Sequence, residues 1–316
     1  MKWFFRRKAN RALDELNTRL KLGIQPFKTT KRRALIDQLL FDVDVVRAIE
    51  EHASENNIPR EVALMKAERY AHEIVPAFNA YAYSKIGTQL ARFVSTFVYR
   101  VRLGYSNDEA LAKVDPESTV VFVMNHRSNM DYMLVTYLAS ASASLSYAVG
   151  EWARVWILQT IVRWMGAYFI RRDSGNQLYR RVLARYVHMA TRSGVTQAMF
   201  PEGGLSRDGE LLLGNPGAVA LVLGADVPIV PCAILGAHEA LGPGRGLRLR
   251  KGTIRFGQPI PAAELAPANV HRKQRLALAT RRIMTEIAAL AGTRSREDVL
   301  EDLRSAASGS RTGGGR

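Results

Sequence analysis

Cysteine is almost missing from this chain. A single one, Cys232, stands among 316 residues. No disulfide can form within the chain, and no metal site built on several thiolates is available. Cys232 lies in an apolar run, so its expected job is core packing in a reducing setting. Acidic residues are also scarce: 29 Asp and Glu face 45 Lys and Arg, a net charge of +16. Such a bias says little about fold, but it calls for an anionic partner such as nucleic acid, anionic lipid or a phosphorylated ligand. No secretory signal core is visible, because the apolar start Trp3-Phe4-Phe5 is far too short. The longest uncharged run, residues 132–150, is diluted by Ser140, Ser142, Ser144 and Ser146. It reads as a buried helix followed by a strand, not as a membrane span. There is no internal repeat and no G-x-S-x-G elbow, which argues against a serine hydrolase. The glycines of Gly242-Pro243-Gly244-Arg245-Gly246 lack the dinucleotide-binding spacing and read as a loop.

The chain does hold 47% apolar residues, enough for one large domain with a smaller attachment. Residues 1–33 carry eleven basic side chains and only Asp14 and Glu15 as acids, more than half of the net charge. Trp3, Phe4 and Phe5 lie beside that cluster. Rings at headgroup depth with cations against anionic lipid suit a bilayer surface. The expected location is peripheral, on the cytoplasmic face of the cell membrane, with the chain lying on the bilayer and not crossing it.

Residues 34–104 are helical in pattern. Pro59 is placed to open a helix, and Leu64, Ala67, Ala71 and Ile74 recur at helical spacing. A third apolar helix is expected over 78–102. The character then changes. Residues 119–124 (TVVFVM) read as a short buried strand. A helix from about 129, strands at 145–149 and 167–170, and a helix at 152–164 follow. An amphipathic helix is expected at 178–192 with its arginines outward, then a strand at 195–200. Asn215-Pro216 should cap and open another helix. Residues 227–234 read as a strand broken by Pro228 and Pro231, which argues for a sheet edge or wall. A strand at 252–256 and a helix at 270–292 close the pattern. The alternation predicts an α/β fold with a largely parallel central sheet flanked by helices and an N-terminal helical subdomain. The expected division is 1–33 basic tail, 34–104 helical subdomain, 105–293 catalytic domain and 294–316 disordered tail.

Chemistry-bearing residues gather where strands end, the usual place for ligands in open α/β sheets. The first block is Asn125-His126-Arg127-Ser128-Asn129-Met130-Asp131. On a regular helix, His126 and Asp131 would sit about 140° apart around the axis. They meet only if His126 lies in the strand–helix turn and Asp131 in the first helical turn, with Ser128 or Asn129 as cap. Asp131 would then fix the imidazole tautomer and leave the other ring nitrogen to take a proton. With no nucleophilic serine at hand, such a dyad suits direct attack by a substrate hydroxyl.

The second block, residues 166–172, ends in Arg171 and Arg172, whose planar forks grip phosphate. Residues 163–192 hold seven arginines and one acid. Arg180, Arg181 and Arg185 fit a solvated helix face. The third block, residues 200–207, carries Glu202 for an acceptor hydroxyl or a cationic group and Arg207 as a further phosphate ligand. Gly203 and Gly204 allow backbone N–H groups close to a thioester oxyanion. The fourth block, residues 227–231, shapes a pocket wall.

Taken in order, the four blocks over about residues 100–260 resemble the glycerolipid acyltransferases, closest to the glycerol-3-phosphate acyltransferase branch. The resemblance implies that His126 and Asp131 form the catalytic dyad. It also implies that Arg171, Glu202 and Arg207 bind the acceptor and its phosphate. It implies a fatty acyl donor, acyl-CoA or acyl-carrier protein, a glycerol-phosphate acceptor, and neither cofactor nor metal. Two positions depart from that branch: Asn129 stands where a second His is usual, and Leu205 where an Arg is usual. Asn125 before the His is more typical of the lysophosphatidate branch. The acceptor therefore stays open between glycerol 3-phosphate, dihydroxyacetone phosphate and lysophosphatidate. The chain is short beside the large bacterial members, whose extra domains are expected to be absent. The charge alone would also allow a nucleic-acid-binding or lipid-scaffold protein. That reading does not explain the clustering of His, Asp, Glu and Arg at strand ends, so no nucleic acid is expected as partner.

Overall fold

The computed structural model describes residues 32–76, 102–105, 119–127, 131, 146–149, 168–171, 175–204, 206, 210–224, 226–236 and 253–293. Among the described residues, three helices come first: α1 (Arg32–Leu40), α2 (Val43–Glu55) and α3 (Arg60–Ile74). Asp42 caps α2 by accepting from the Asp44 N–H at 3.0 Å. Pro59 sits one residue before α3, where its missing N–H leaves no helical bond unmade. Alanines at 63, 67 and 71 with Ile74 form the buried stripe of α3, while Leu64 lies at its margin.

Seven strands form one sheet: β1 (Arg102–Tyr105), β2 (Val121–Met124), β3 (Ser146–Val149), β4 (Tyr168–Phe169), β5 (Gln197–Met199), β6 (Ile229–Leu235) and β7 (Thr253–Phe256). Their order is β1-β7-β6-β2-β5-β3-β4. All pairings are parallel except β6 with β7. Three helices pack with the strands: α4 (Gln177–Arg192), α5 (Pro216–Leu223) and α6 (Arg272–Ala291). Gly292 ends α6 in the left-handed conformation, at φ 76°.

Two cores result. Val121 and Val123 of β2 join Met199, Ile229 and the α6 residues Ile283, Met284 and Ile287. The other core has no strand through its middle. The stripes of α1, α2 and α3 close on Leu178, Tyr179, Val182, Tyr186 and Val187 of α4, with Tyr168 of β4. The helical trio therefore shares its core with the edge of the α/β sheet.

Several expectations change. Strand β1 straddles the expected boundary at 104/105, because residues 102–105 pair with β7. Arg32 and Arg33, assigned to the tail, open α1. Arg32 donates to the Val75 and His72 carbonyls at 3.0 and 2.5 Å, which caps the end of α3. Strand β6 is not an edge but lies between β2 and β7. Pro231 is tolerated there because its carbonyl, and so its absent N–H, faces the β7 side ahead of the β6–β7 ladder; the Gly257 N–H donates to that carbonyl at 2.8 Å. Cys232 is buried as expected, and burial pushes its thiol up. The tail 1–31, most of the helix expected over 78–102, the helix at 152–164 and the tail from 294 lie outside the described residues, as do most residues of the helix from 129.

Candidate active site

Strand β2 runs through the middle of the sheet and all four of its residues are buried. The three residues that follow, Asn125, His126 and Arg127, are buried too. A buried loop must satisfy its peptide groups from elsewhere, and here each tie is identifiable. Asn125 extends the sheet with its side chain. Its Nδ2 donates to the Ile234 carbonyl at 2.9 Å, and its Oδ1 accepts from the Ile234 N–H at 2.6 Å. The His126 N–H donates to Glu202 Oε1 at 2.7 Å, and the His126 carbonyl accepts from the Ser206 N–H at 3.0 Å. The Arg127 N–H donates to Asp131 Oδ2 at 2.6 Å.

That same Asp131 oxygen lies 3.1 Å from His126 Nδ1. Asp131 is helical and fully buried. The pair meets because His126 sits in the turn, ahead of the helix. The Phe200 ring lies against the imidazole, with centroids 4.4 Å apart and planes tilted by 37°. Peptide N–H, peptide carbonyl, Nδ1 and one ring face of His126 are thus all engaged. With Nδ1 turned to the carboxylate, Nε2 is the ring nitrogen directed away from Asp131.

Glu202 is held by backbone on both sides. Its second oxygen accepts from the Leu212 N–H at 2.6 Å, so both oxygens hold backbone. Burial pushes its carboxyl up from the usual range, and the Leu212 and His126 N–H donors pull it partly back. Glu202 braces two loops. The segment from Pro201 to Asn215 leaves and returns at one place, since the Asn215 N–H donates to the Pro201 carbonyl at 2.7 Å. Gly203 has φ +64°, and a Cβ there would meet Asn215 Nδ2 at 3.1 Å. Its N–H closes a turn onto the Phe200 carbonyl at 3.3 Å, so that donor is already used within the loop.

Arg171 follows β4, the far edge of the sheet. Its guanidinium holds Glu73 of α3 with two bonds, Nε to Oε1 at 3.0 Å and Nη2 to Oε2 at 2.5 Å. It also lies 5.1 Å and 5.2 Å from the ring centroids of Tyr70 and Tyr179. Arg185, expected outward, instead turns to Asp42 at 2.6 Å and Asp44 at 3.3 Å, while Arg180 and Arg181 are exposed. Arg172 and Arg207 lie outside the described residues.

The structure thus brings His126, Asp131, Glu202 and Gly203 together and sets Arg171 three strands away, about 14 Å at ordinary strand spacing. The sequence reading missed Ser206, Phe200, Glu73 and the pairing of Asn125. Position before the His was a signal for Asn125; Glu73 had none, because its partner is 98 residues away. Among the described residues no cluster of His, Cys, Asp or Glu could hold a metal ion.

Comparison with known proteins places this arrangement. Residues 102–235 match the acyltransferase family. The chain is 34% identical over 225 residues to a glycerol-3-phosphate acyltransferase of Xanthomonas axonopodis pv. citri, covering 69% of this chain and 25% of that protein. A glycerol-3-phosphate acyltransferase of Pseudomonas fluorescens is 30% identical over 292 residues, covering 82% and 35%. The chain therefore spans a quarter to a third of the length of these curated relatives. A solved 1-acyl-sn-glycerophosphate acyltransferase from Thermotoga maritima shares 18% identity at a TM-score of 0.45, over 80% of this chain and 95% of that one. With its strand-end dyad lying inside the matched stretch, residues 102–235 of this chain form a domain of the acyltransferase family.

Proposed function

We propose that this protein transfers a fatty acyl group from a thioester, acyl-CoA or acyl-carrier protein, to the sn-1 hydroxyl of glycerol 3-phosphate. The observation that carries the reading is the 3.1 Å contact of His126 Nδ1 with Asp131 at the end of the central strand. In the proposed step, His126 Nε2 removes the hydroxyl proton as the oxygen attacks the thioester carbonyl carbon. The tetrahedral intermediate collapses, the carbon–sulfur bond breaks, and the imidazolium returns its proton to the departing thiolate. Asp131 steadies the imidazolium. Arg171, Arg172 and Arg207 supply positive charge for the acceptor phosphate, and Glu202 with Gly203 shapes the loop beside it.

The names of the curated relatives favour glycerol 3-phosphate as acceptor. Asn125 does not favour lysophosphatidate, because its amide is taken by Ile234 whatever the acceptor. A peripheral membrane position is supported by the basic, aromatic residues 1–33 and by Phe41, Val43 and Met65, which are exposed on the helical trio. Among the described residues no helix is long and apolar enough to cross a membrane.

The test is a panel of labelled acyl-CoA and acyl-carrier protein donors against glycerol 3-phosphate, dihydroxyacetone phosphate and lysophosphatidate, with positional analysis of the product. Transfer to the sn-1 oxygen that disappears in His126→Ala supports the reading. No transfer to any acceptor, together with salt-sensitive binding of DNA, would discard it in favour of a nucleic-acid-binding protein.

A further inference from the structure

Arg127 and Arg171 both follow the carboxyl end of a strand, and they differ in one respect. Arg171 already has a carboxylate partner, Glu73, which takes donors from its Nε and Nη2. Arg127 has none within ion-pair distance among the described residues. It is only 7% exposed, and its Nε is buried with no hydrogen-bond partner. Glu202 lies within its electrostatic reach, but both Glu202 oxygens hold the backbone of His126 and Leu212. A buried cation without a bonded counter-charge is costly, and buried polar groups are otherwise nearly always satisfied. The position of Arg127 is also tightly set. It directly follows His126, and its N–H is bonded to the carboxylate oxygen that faces the imidazole.

We propose that Arg127 binds the phosphate of the acceptor, holding it in the same loop that carries His126. This rests on the acceptor reading given above and names a specificity residue within it. A phosphate supplies the missing acceptor for Nε, and it does so without displacing a carboxylate. The bound acceptor is thereby tethered one residue from the base that must reach its hydroxyl. The arrangement discriminates against acceptors without phosphate, since these would leave the cation buried and unpaired.

The experiment compares wild type with Arg127→Met and Arg127→Lys. Binding of inorganic phosphate and of glycerol 3-phosphate is read by calorimetry and by melting temperature, without acyl donor. Both ligands should raise the melting temperature of wild type. In Arg127→Met that rise should vanish, while the ligand-free melting temperature stays level or increases because an unpaired charge has been removed. Arg127→Lys should keep a weakened rise. In turnover, Arg127→Met should raise the acceptor KM by about tenfold or more and the donor KM by less than about twofold. Phosphate binding that is absent from wild type, or intact in either variant, overturns the proposal. So does a rise in the two KM values together. If Arg127→Met does not fold, Arg127→Lys decides: an unchanged acceptor KM and phosphate affinity would sink it. Because binding is measured without turnover, a protein that transfers no acyl group can still reveal whether Arg127 holds phosphate.

Discussion

The loop at the end of β2 and the clamp at the β4 edge are fastened in different ways. Around His126 the ties run to backbone: Glu202 holds two peptide N–H groups, Asn125 mimics a strand, and Ser206 donates from its main chain. At the edge, charged side chains link the helical trio to the sheet, through Arg171 with Glu73 and Arg185 with Asp42 and Asp44. Buried backbone bonds are insensitive to salt and hold position tightly. Partly exposed ion pairs are screened and can be exchanged. The difference makes for a fixed loop in the middle of the sheet and a more adaptable charged edge.

The sharpest way to break this comparison is Asp131→Asn. It removes the acceptor for His126 Nδ1 and disturbs the Arg127 N–H bond, so kcat should fall by about 10³–10⁴-fold in the acyl-transfer assay. A loss below about tenfold would mean that the dyad does not act as a unit. Next comes Glu202→Gln, which puts an amide donor against an N–H donor. A brace predicts a lower kcat, a stability loss of about 1–3 kcal/mol in denaturant titration and little change in acceptor KM. A dominant rise in acceptor KM would make Glu202 a substrate ligand after all.

Arg171→Ala should raise the acceptor KM more than the donor KM. Glu73→Gln should weaken the edge by about 1–3 kcal/mol and leave the melting of the variant less salt-dependent than that of wild type. If Glu73→Gln changes neither stability nor salt dependence, the clamp is not a fastening.

The smallest effect is the pH response of the clamp. His188 lies 2.9 Å from Arg185. Burial lowers its pKa from the usual 6.5, and the charges of Arg192 and Arg185 lower it further. The folded state then binds this proton less well than the unfolded chain. Its contribution to stability is complete above pH 6.5 and is lost as pH falls toward the depressed folded value. Melting at pH 5.5 and 7.5 should differ less in His188→Gln than in wild type; an equal difference would assign the pH response elsewhere.

Much of the α/β pattern was legible because short β-branched strands and the stripe of α4 have plain periodicities. The dyad was legible because both residues lie within one local turn. Pro231 misled because a strand with proline is usually at an edge; which neighbour its missing N–H faces is a matter of pairing, not of sequence. Arg185 misled for a similar reason. Helical spacing places it near solvent, but Asp42 arrives from 143 residues away.

Sequence alone determined the order of strands and helices, the abundance of positive charge and the placing of a histidine and an aspartate five positions apart after a buried strand. Tertiary structure decided which charges are answered. It gave Arg171 a glutamate, turned Glu202 onto two peptide groups and left Arg127, directly after His126, buried with no hydrogen-bond partner for its Nε. The reason is physical: local propensity acts over a few residues, whereas pairing of buried polar groups depends on chain segments that only folding brings together.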